Sequence, residues 1–284
     1  MKQALVLGGG GVVGVAWEAG IVAGLLDGGV DLRRAETIVG TSAGSIIGTR
    51  LAAGHDLRVS EEGTAVPIPS VADGPDIAVL RDVFTRWAAA ECVDLEFLQT
   101  IGALAVKART VAEDAWVASI GASARVIDWP RGDLRLIAVD VDSGALAIHD
   151  RASGATLARA IAASCAIPGM FPPVTINGRR FMDGGVRSGT SADLLVNEAP
   201  RHVLVIAPIT AGVVGFGALA DRCRDAEIDQ LRAVGSEVTC IVPLDAEKLA
   251  FGRSLMDASH AVAAHAAGYE RGGTVARALL PIWQ

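Results

Sequence analysis

Residues 40–44 read Gly-Thr-Ser-Ala-Gly and follow the apolar run Thr37–Val39. This is the Gly-x-Ser-x-Gly pattern of a nucleophile elbow, in which a serine stands on a sharp turn between a strand and a helix. Small and apolar residues at 45–53 can continue as that helix. We therefore expect Ser42 to sit in strained backbone. Gly40 and Gly44 are needed there because side chains would collide where the strand and the helix close on each other.

A second glycine-rich segment lies near the N-terminus. Residues 8–14 read Gly-Gly-Gly-Gly-Val-Val-Gly, after the apolar strand candidate Ala4–Leu7 and before a helical pattern. Successive glycines allow backbone N–H groups to point into one concavity, and the start of a helix adds free N–H groups and a positive dipole end. Such a turn suits a negative oxygen, either a phosphate or the oxyanion of a tetrahedral intermediate.

The third segment of interest is Asp183-Gly184-Gly185, which follows the run Asn177–Met182. An aspartate at the end of a short strand, with glycines behind it, can reach a reacting centre without crowding it. A serine hydroxyl needs a base, and a carboxylate within hydrogen-bond reach can serve as one.

Taken in order, these segments resemble the patatin-like phospholipase family, and Ala163–Pro173 resembles the segment that the family carries shortly before its aspartate. The resemblance implies a three-layer α/β/α sandwich with a mainly parallel central sheet. It implies a lipid acyl hydrolase or carboxylesterase in which Ser42 is the nucleophile and Asp183 the base. The backbone amides of Gly9, Gly10 and Gly11 would form the oxyanion hole. No metal and no organic cofactor is implied.

One position departs from the family pattern. Many patatin-like proteins carry arginine or lysine where this chain has Val13. The oxyanion donors are backbone groups and are unaffected, but a cation that could meet a lipid phosphate is missing. The departure favours ester hydrolysis in general over phospholipase activity in particular.

Composition agrees with an α/β enzyme of one domain. The chain has 284 residues and a formal net charge of −7, with scattered basic residues, which argues against nucleic acid as a partner. No apolar run reaches the roughly 20 residues that span a bilayer. The start Met1-Lys2-Gln3 leads directly into a core strand candidate, so we expect a cytoplasmic protein. The four cysteines show no metal-site spacing and are expected to be thiols.

Strand and helix signals alternate, with strands expected at Gln3–Leu7, Thr37–Val39, Leu134–Val139, Val203–Ile206 and Val238–Val242. The whole chain, 1–284, is expected to form one domain. It is expected to contain an insertion at 55–123, for which the sequence predicts an irregular loop followed by helices. The helices could pack against the sheet, wall an acyl pocket, or do both.

Histidine provides a competing mechanism. A Ser–Asp–His order is that of the α/β-hydrolase triad, and His149, His202, His260 and His265 are the candidates for its base. A dyad without histidine should lose activity on acidification and show no step at the pKa of imidazole.

Two other functions remain open. Gly9–Gly14 also satisfies Gly-x-Gly-x-x-Gly, the dinucleotide-binding fingerprint, with Asp31 or Glu36 as candidates for the ribose hydroxyls. Alternatively, a catalytically silent patatin fold could bind lipid or act as a scaffold. The sequence leaves the acyl length, the head group, transient contact with a membrane surface and the oligomeric state undetermined.

Overall fold

The computed structural model describes residues 2–58, 75–213 and 218–283. Eight strands form one sheet. They are β1 (Gln3–Leu7), β2 (Thr37–Thr41), β3 (Asp133–Asp140), β4 (Leu146–His149), β5 (Val174–Ile176), β6 (Arg179–Asp183), β7 (His202–Ile206) and β8 (Glu237–Ile241).

Helices connect most of these strands, as a parallel sheet requires. They are α1 (Gly11–Asp27), α2 (Ala43–Ala52), α3 (Ile77–Ala89), α4 (Leu95–Lys107), α5 (Glu113–Ala124), α6 (Leu157–Ser164), α7 (Ala218–Ala233), α8 (Asp245–Phe251) and α9 (Ala261–Leu279). Short 3₁₀ turns cover Leu32–Arg34, Gly184–Val186, Ala192–Leu195 and Ala258–His260.

The centre of the sheet is parallel. Strand β1 lies between β2 and β7, β2 also pairs with β3, and β8 pairs with β7, all in parallel. Strands β4 and β6 pair with β3, and β5 pairs with β6, all antiparallel. The carboxyl ends of the parallel strands share one edge of the sheet, which is where ligands bind in open α/β folds.

Strands β2 and β6 meet on the same side of β3. Strand β4 occupies one side of β3 along Leu136–Val139. Both β2, which pairs with Asp133–Ile137, and β6, which pairs with Ala138–Asp140, must therefore use the other side. They run in opposite directions and end at neighbouring positions: Thr41 is opposite Ile137 and Asp183 is opposite Ala138. The residue that follows β2 therefore faces the last residue of β6.

Helices cover both faces of the sheet, which makes three layers. Side chains alternate along each strand: Leu5 and Leu7 belong to a core that includes α1, α2, α5 and α6, whereas Ala4 and Val6 pack in a second core toward α7. A third cluster places α3 and α4 against Val139 and its neighbours. The α/β/α sandwich with a mainly parallel sheet is confirmed.

The five predicted strands are confirmed, each within two residues at its ends. Helices α3, α4 and α5 lie in the region where the sequence predicts the insertion at 55–123. Residues 59–74, which carry most of its predicted loop, lie outside the described residues. Among the helices that the structure describes, none is both long and apolar enough to cross a membrane.

Helices α1 and α9 pack with their backbones in contact. A Cβ atom at Gly20 would lie 2.1 Å from the His265 carbonyl oxygen, and one at Gly24 equally close to that of Tyr269. From the other side, a Cβ atom at Gly272 would lie 2.4 Å from the Ile21 carbonyl oxygen. Glycine is therefore required by the close approach of two helices. This contact fixes α1, whose N-terminus carries the glycine loop.

Two neighbouring glycines test this packing. Gly272→Ala should lower the free energy of unfolding by about 1–3 kcal/mol, because its methyl group must push α9 away from α1. Gly273→Ala is the matched control: nothing lies within 4 Å of its Cβ position, so the better helix former should stabilise by about 0.5–1 kcal/mol. Denaturant unfolding measures both, and equal effects would contradict the close contact.

Candidate active site

Ser42 occupies the sharp turn that the sequence predicts. Its φ of 52° and ψ of −115° lie outside the regions that a serine prefers. A Cβ atom at Gly40 would lie 2.6 Å from the Gly44 carbonyl oxygen, and one at Gly44 would lie 2.1 Å from that of Leu7. Both glycines are therefore needed for the strand and the helix to approach each other.

The hydroxyl of Ser42 donates a hydrogen bond directly to a carboxylate oxygen of Asp183, with Oγ and Oδ2 2.7 Å apart. The other oxygen, Oδ1, accepts from the Gly185 amide at 2.7 Å. Both side chains are buried. The end-to-end meeting of β2 and β6 brings these two residues together across 141 positions of sequence.

Burial raises the pKa of Asp183 from 3.8 to about 7, although the hydrogen bonds from the Gly185 amide and the Ser42 hydroxyl lower it. A carboxylate with a pKa near 7 is a far stronger base than an exposed aspartate, and half of it is ionised at neutral pH. The expectation that a dyad would show no step at the pKa of imidazole is therefore wrong, since both groups would titrate in the same range.

Residues 164–166, which precede β5, form hydrogen bonds to the backbone of both Ser42 and Asp183. The Ser42 amide donates to the Ser164 hydroxyl at 2.9 Å, and the Cys165 thiol donates to the Ser42 carbonyl at 3.3 Å. One residue on, the Ala166 carbonyl accepts from the Asp183 amide at 3.0 Å. Burial raises the pKa of Cys165, so its thiol stays protonated and can donate. The sequence pattern around Ser164 and Cys165 gives no sign of this role.

The glycine loop lies beside Ser42. A Cβ atom at Gly9 would lie 3.5 Å from the Ser42 Cβ atom. However, the Gly9 amide donates to the Gly189 carbonyl at 2.8 Å. This bond removes Gly9 from the predicted set of three oxyanion donors. Gly10 and Gly11 stand at the N-terminus of α1, where amides have no acceptor within the helix.

A cavity of about 310 Å³ opens beside these groups, and both the dyad and the glycine loop line it. Helix α3 contributes Leu80, Val83, Phe84 and Trp87 to its wall. The insertion therefore both packs against the sheet and lines the cavity. The volume falls within the usual range for small-molecule sites, about 300–1,000 Å³.

Residues 253–256, between α8 and α9, form another part of the wall. The Leu255 carbonyl accepts from the Val13 amide at 3.0 Å, which ties this segment to the first turn of α1. A Cβ atom at Gly11 would lie 2.7 Å from that carbonyl oxygen. Val13 itself is fully buried, so its side chain faces the core.

Glu18 follows on α1 and is completely buried. Burial raises its pKa well above 4.5. The folded protein therefore favours the neutral carboxyl beneath the glycine loop.

The histidine candidates lie elsewhere. His149 is buried edge-on against Phe181, and burial lowers its pKa. His202 begins β7, at the end of the sheet opposite the glycine loop. His260 packs on Gly252, and the ring of His265 contacts the Leu57 carbonyl. No histidine is among the described residues that line the cavity. The Ser–Asp–His arrangement is therefore not formed.

The dinucleotide interpretation also fails on geometry. Asp31 and Glu36 both precede β2, so they lie at the edge of the sheet opposite the glycine loop. Each carboxylate oxygen of Asp31 accepts a hydrogen bond from the Arg33 guanidinium at 2.7 Å. Within the part of the chain that the structure describes, no group of three histidine, cysteine or acidic side chains is placed to hold a metal ion.

The buried carboxyl should make stability depend on pH. Because the folded pKa of Asp183, about 7, lies above the ordinary 3.8, the unfolded chain ionises first as pH rises. Asp183 therefore stabilises the fold fully below pH ~4, and this contribution is lost as pH rises to about 7. The side chain of Asp183→Asn stays neutral. As pH rises across that window, the free energy of unfolding of this variant should increase relative to that of the wild type by about 1.4 kcal/mol per pH unit. A difference that does not change with pH would contradict the raised pKa.

Comparison with known proteins places the chain in a family. A sequence profile described as patatin-like phospholipase matches residues 5–67 and 76–196. The uncharacterized protein YqhO of Bacillus subtilis (strain 168) is 29% identical over 248 residues, covering 78% of this chain and 80% of YqhO.

Two solved structures are similar. VipD from Legionella pneumophila has a TM-score of 0.51 at 12% identity, covering 98% of this chain and 67% of VipD, which shows a shared fold. The type III effector protein ExoU gives 0.45 at 15% identity, covering 98% of this chain and 53% of ExoU. The profile match spans the glycine loop, the elbow and the aspartate, and the chain belongs to the patatin-like phospholipase family.

Proposed function

We propose that this protein is a lipid acyl hydrolase or carboxylesterase that uses a Ser42–Asp183 dyad. The observation that carries the proposal is the direct hydrogen bond between the two side chains, on a strained elbow that faces an apolar cavity. A buried carboxylate with a raised pKa, bonded to a nucleophile in a cleft, is the kind of group that serves in catalysis.

Acylation begins with the ionised form of Asp183. As the Ser42 oxygen attacks the ester carbonyl carbon, its proton moves to Oδ2 of Asp183. The carbonyl oxygen becomes negative and faces the amides of Gly10 and Gly11, together with the positive end of α1. When the tetrahedral intermediate collapses, the bond to the alcohol breaks, the alcohol oxygen takes the proton from Asp183, and the acyl group remains on Ser42.

Deacylation repeats these steps with water. Asp183, ionised again, accepts a proton from a water molecule that attacks the acyl-serine carbonyl. Collapse of the second intermediate returns the proton to the Ser42 oxygen and releases the carboxylic acid. The residues proposed for both halves are the same, and neither half calls for a metal or an organic cofactor.

The cavity walls suit an acyl chain. Apolar surface comes from Leu80, Val83 and Phe84 of α3 and from Leu255 and Met256. Burial of each CH₂ group there contributes about 0.8 kcal/mol to binding. A lipid ester is therefore the substrate class that the site fits, presented in solution or by transient contact with a membrane surface.

Turnover of p-nitrophenyl acyl esters tests the function. Ser42→Ala should lower kcat by at least about a thousandfold, because it removes the nucleophile. Ser153→Ala, in the turn after β4, is the matched control and should keep full activity. If the folded wild type hydrolyses no ester while it still binds lipid, the catalytically silent scaffold replaces the hydrolase.

The pH profile tests the base. Because protonated Asp183 cannot accept the serine proton, kcat/KM should rise with pH, level off above about pH 7, and fall tenfold per unit below it. His149→Gln, His202→Gln, His260→Gln and His265→Gln should keep the same step. Loss of the step in any one of these variants would transfer the role of base from Asp183 to that histidine.

A further inference from the structure

The cavity beside Ser42 contains two charged side chains among the described residues that line it. One is Asp183, which is buried and bonded to Ser42. The other is Arg253, which is exposed. The remaining described lining residues are glycines, serines, proline and apolar residues. Among the described lining residues, Arg253 therefore supplies the cation beside an apolar cavity, in a chain whose net charge is −7.

The guanidinium of Arg253 has no carboxylate within ion-pair distance among the residues that the structure describes. The acid nearest in sequence, Asp257, accepts from the amide and the hydroxyl of Ser259 at 3.0 and 2.7 Å. It also faces the His260 ring at 3.9 Å. Other arginines of the described chain, for example Arg135, Arg159 and Arg187, are in ion pairs. Arg253 is therefore available to an anion that enters the cavity.

The backbone that carries Arg253 is fixed relative to the dyad. Two residues on, Leu255 accepts the hydrogen bond from Val13, and its carbonyl packs against Gly11. Ser254 accepts from the Met256 amide at 3.2 Å, which closes the turn. Residues 253–256 lie outside the part of the chain that matches the family profile. Arg253 stands in a different place from the buried Val13.

We infer that Arg253 is a specificity-determining residue that binds an anionic group of the substrate, so that the site prefers amphiphilic esters carrying a phosphate or a carboxylate. The inference rests on the proposed hydrolase. Arginine suits the role because its planar fork binds either anion through two parallel N–H bonds. The anion can belong to the leaving alcohol, as a phosphate, or to the far end of the acyl chain, as a carboxylate.

Two substrate pairs separate these sources. The first is a monoacylglycerol phosphate and the monoacylglycerol with the same acyl chain. The second is a p-nitrophenyl hemiester of a dicarboxylic acid and the p-nitrophenyl ester of a monocarboxylic acid of equal length. For each pair the readout is the ratio of kcat/KM for the anionic ester to that for the neutral ester, measured at low and high salt.

Arg253→Gln should lower this ratio about tenfold in the pair whose anion reaches the arginine, as expected for a charged hydrogen bond of modest strength. Arg253→Lys should keep part of the preference, and 0.5 M salt should erase much of it in the wild type. Arg277→Gln removes the same charge from the far end of α9 and should leave the ratio unchanged. Melting temperatures check that every variant is folded.

An unchanged ratio in both pairs after Arg253→Gln would overturn the inference while leaving the hydrolase in place. An equal fall in Arg277→Gln would also overturn it, because general charge would then explain the preference. If the wild type hydrolyses none of the four esters, the proposed function fails instead.

Discussion

The hydrogen bond between Ser42 and Asp183 depends on two strands that end against each other beside β3. Strand β2 delivers the serine from one direction, β6 delivers the aspartate from the other, and β4 closes the opposite side of β3. Because the pairing register of β3 fixes both ends, a slip of one residue in either strand would turn a side chain to the other face of the sheet. The chemistry proposed here therefore rests on backbone pairing as much as on the two side chains.

This arrangement destabilises the fold locally in two ways. Ser42 is held in an unfavourable backbone conformation, and the Asp183 carboxyl is buried, which raises its pKa. Ser164, Cys165 and Ala166 hold the backbone of the serine and of the aspartate in place through hydrogen bonds. The same burial makes Asp183 a better base, so a feature that weakens the fold supports the proposed reaction. A stronger base in a drier site is how carboxylates are tuned for catalysis elsewhere.

The sequence was sufficient for the features that depend on local pattern. Apolar runs and glycines identified the elbow, the glycine loop and the parallel strands, because a tight turn admits only a few residue types. It did not reveal which amides are free: the Gly9 amide bonds to Gly189, a partner 180 positions away. Nor did it reveal the hydrogen bonds between Ser164, Cys165 and the backbone of Ser42, or the part of the cavity wall that contains Arg253. These depend on tertiary contacts between segments with no shared periodicity. The burial of Glu18 was not revealed either, because a polar residue on a helix gives no sign that both faces of the helix are covered.

Reaction with a fluorophosphonate probe shows whether Ser42 is activated, because the probe forms a covalent adduct only with an activated serine next to an oxyanion site. The folded protein is treated with the probe, digested, and read by mass spectrometry. We expect one adduct, on the peptide that contains Ser42, formed more slowly in folded Asp183→Asn and absent from Ser42→Ala. An adduct on a different serine, or no adduct on the folded wild type, would contradict it.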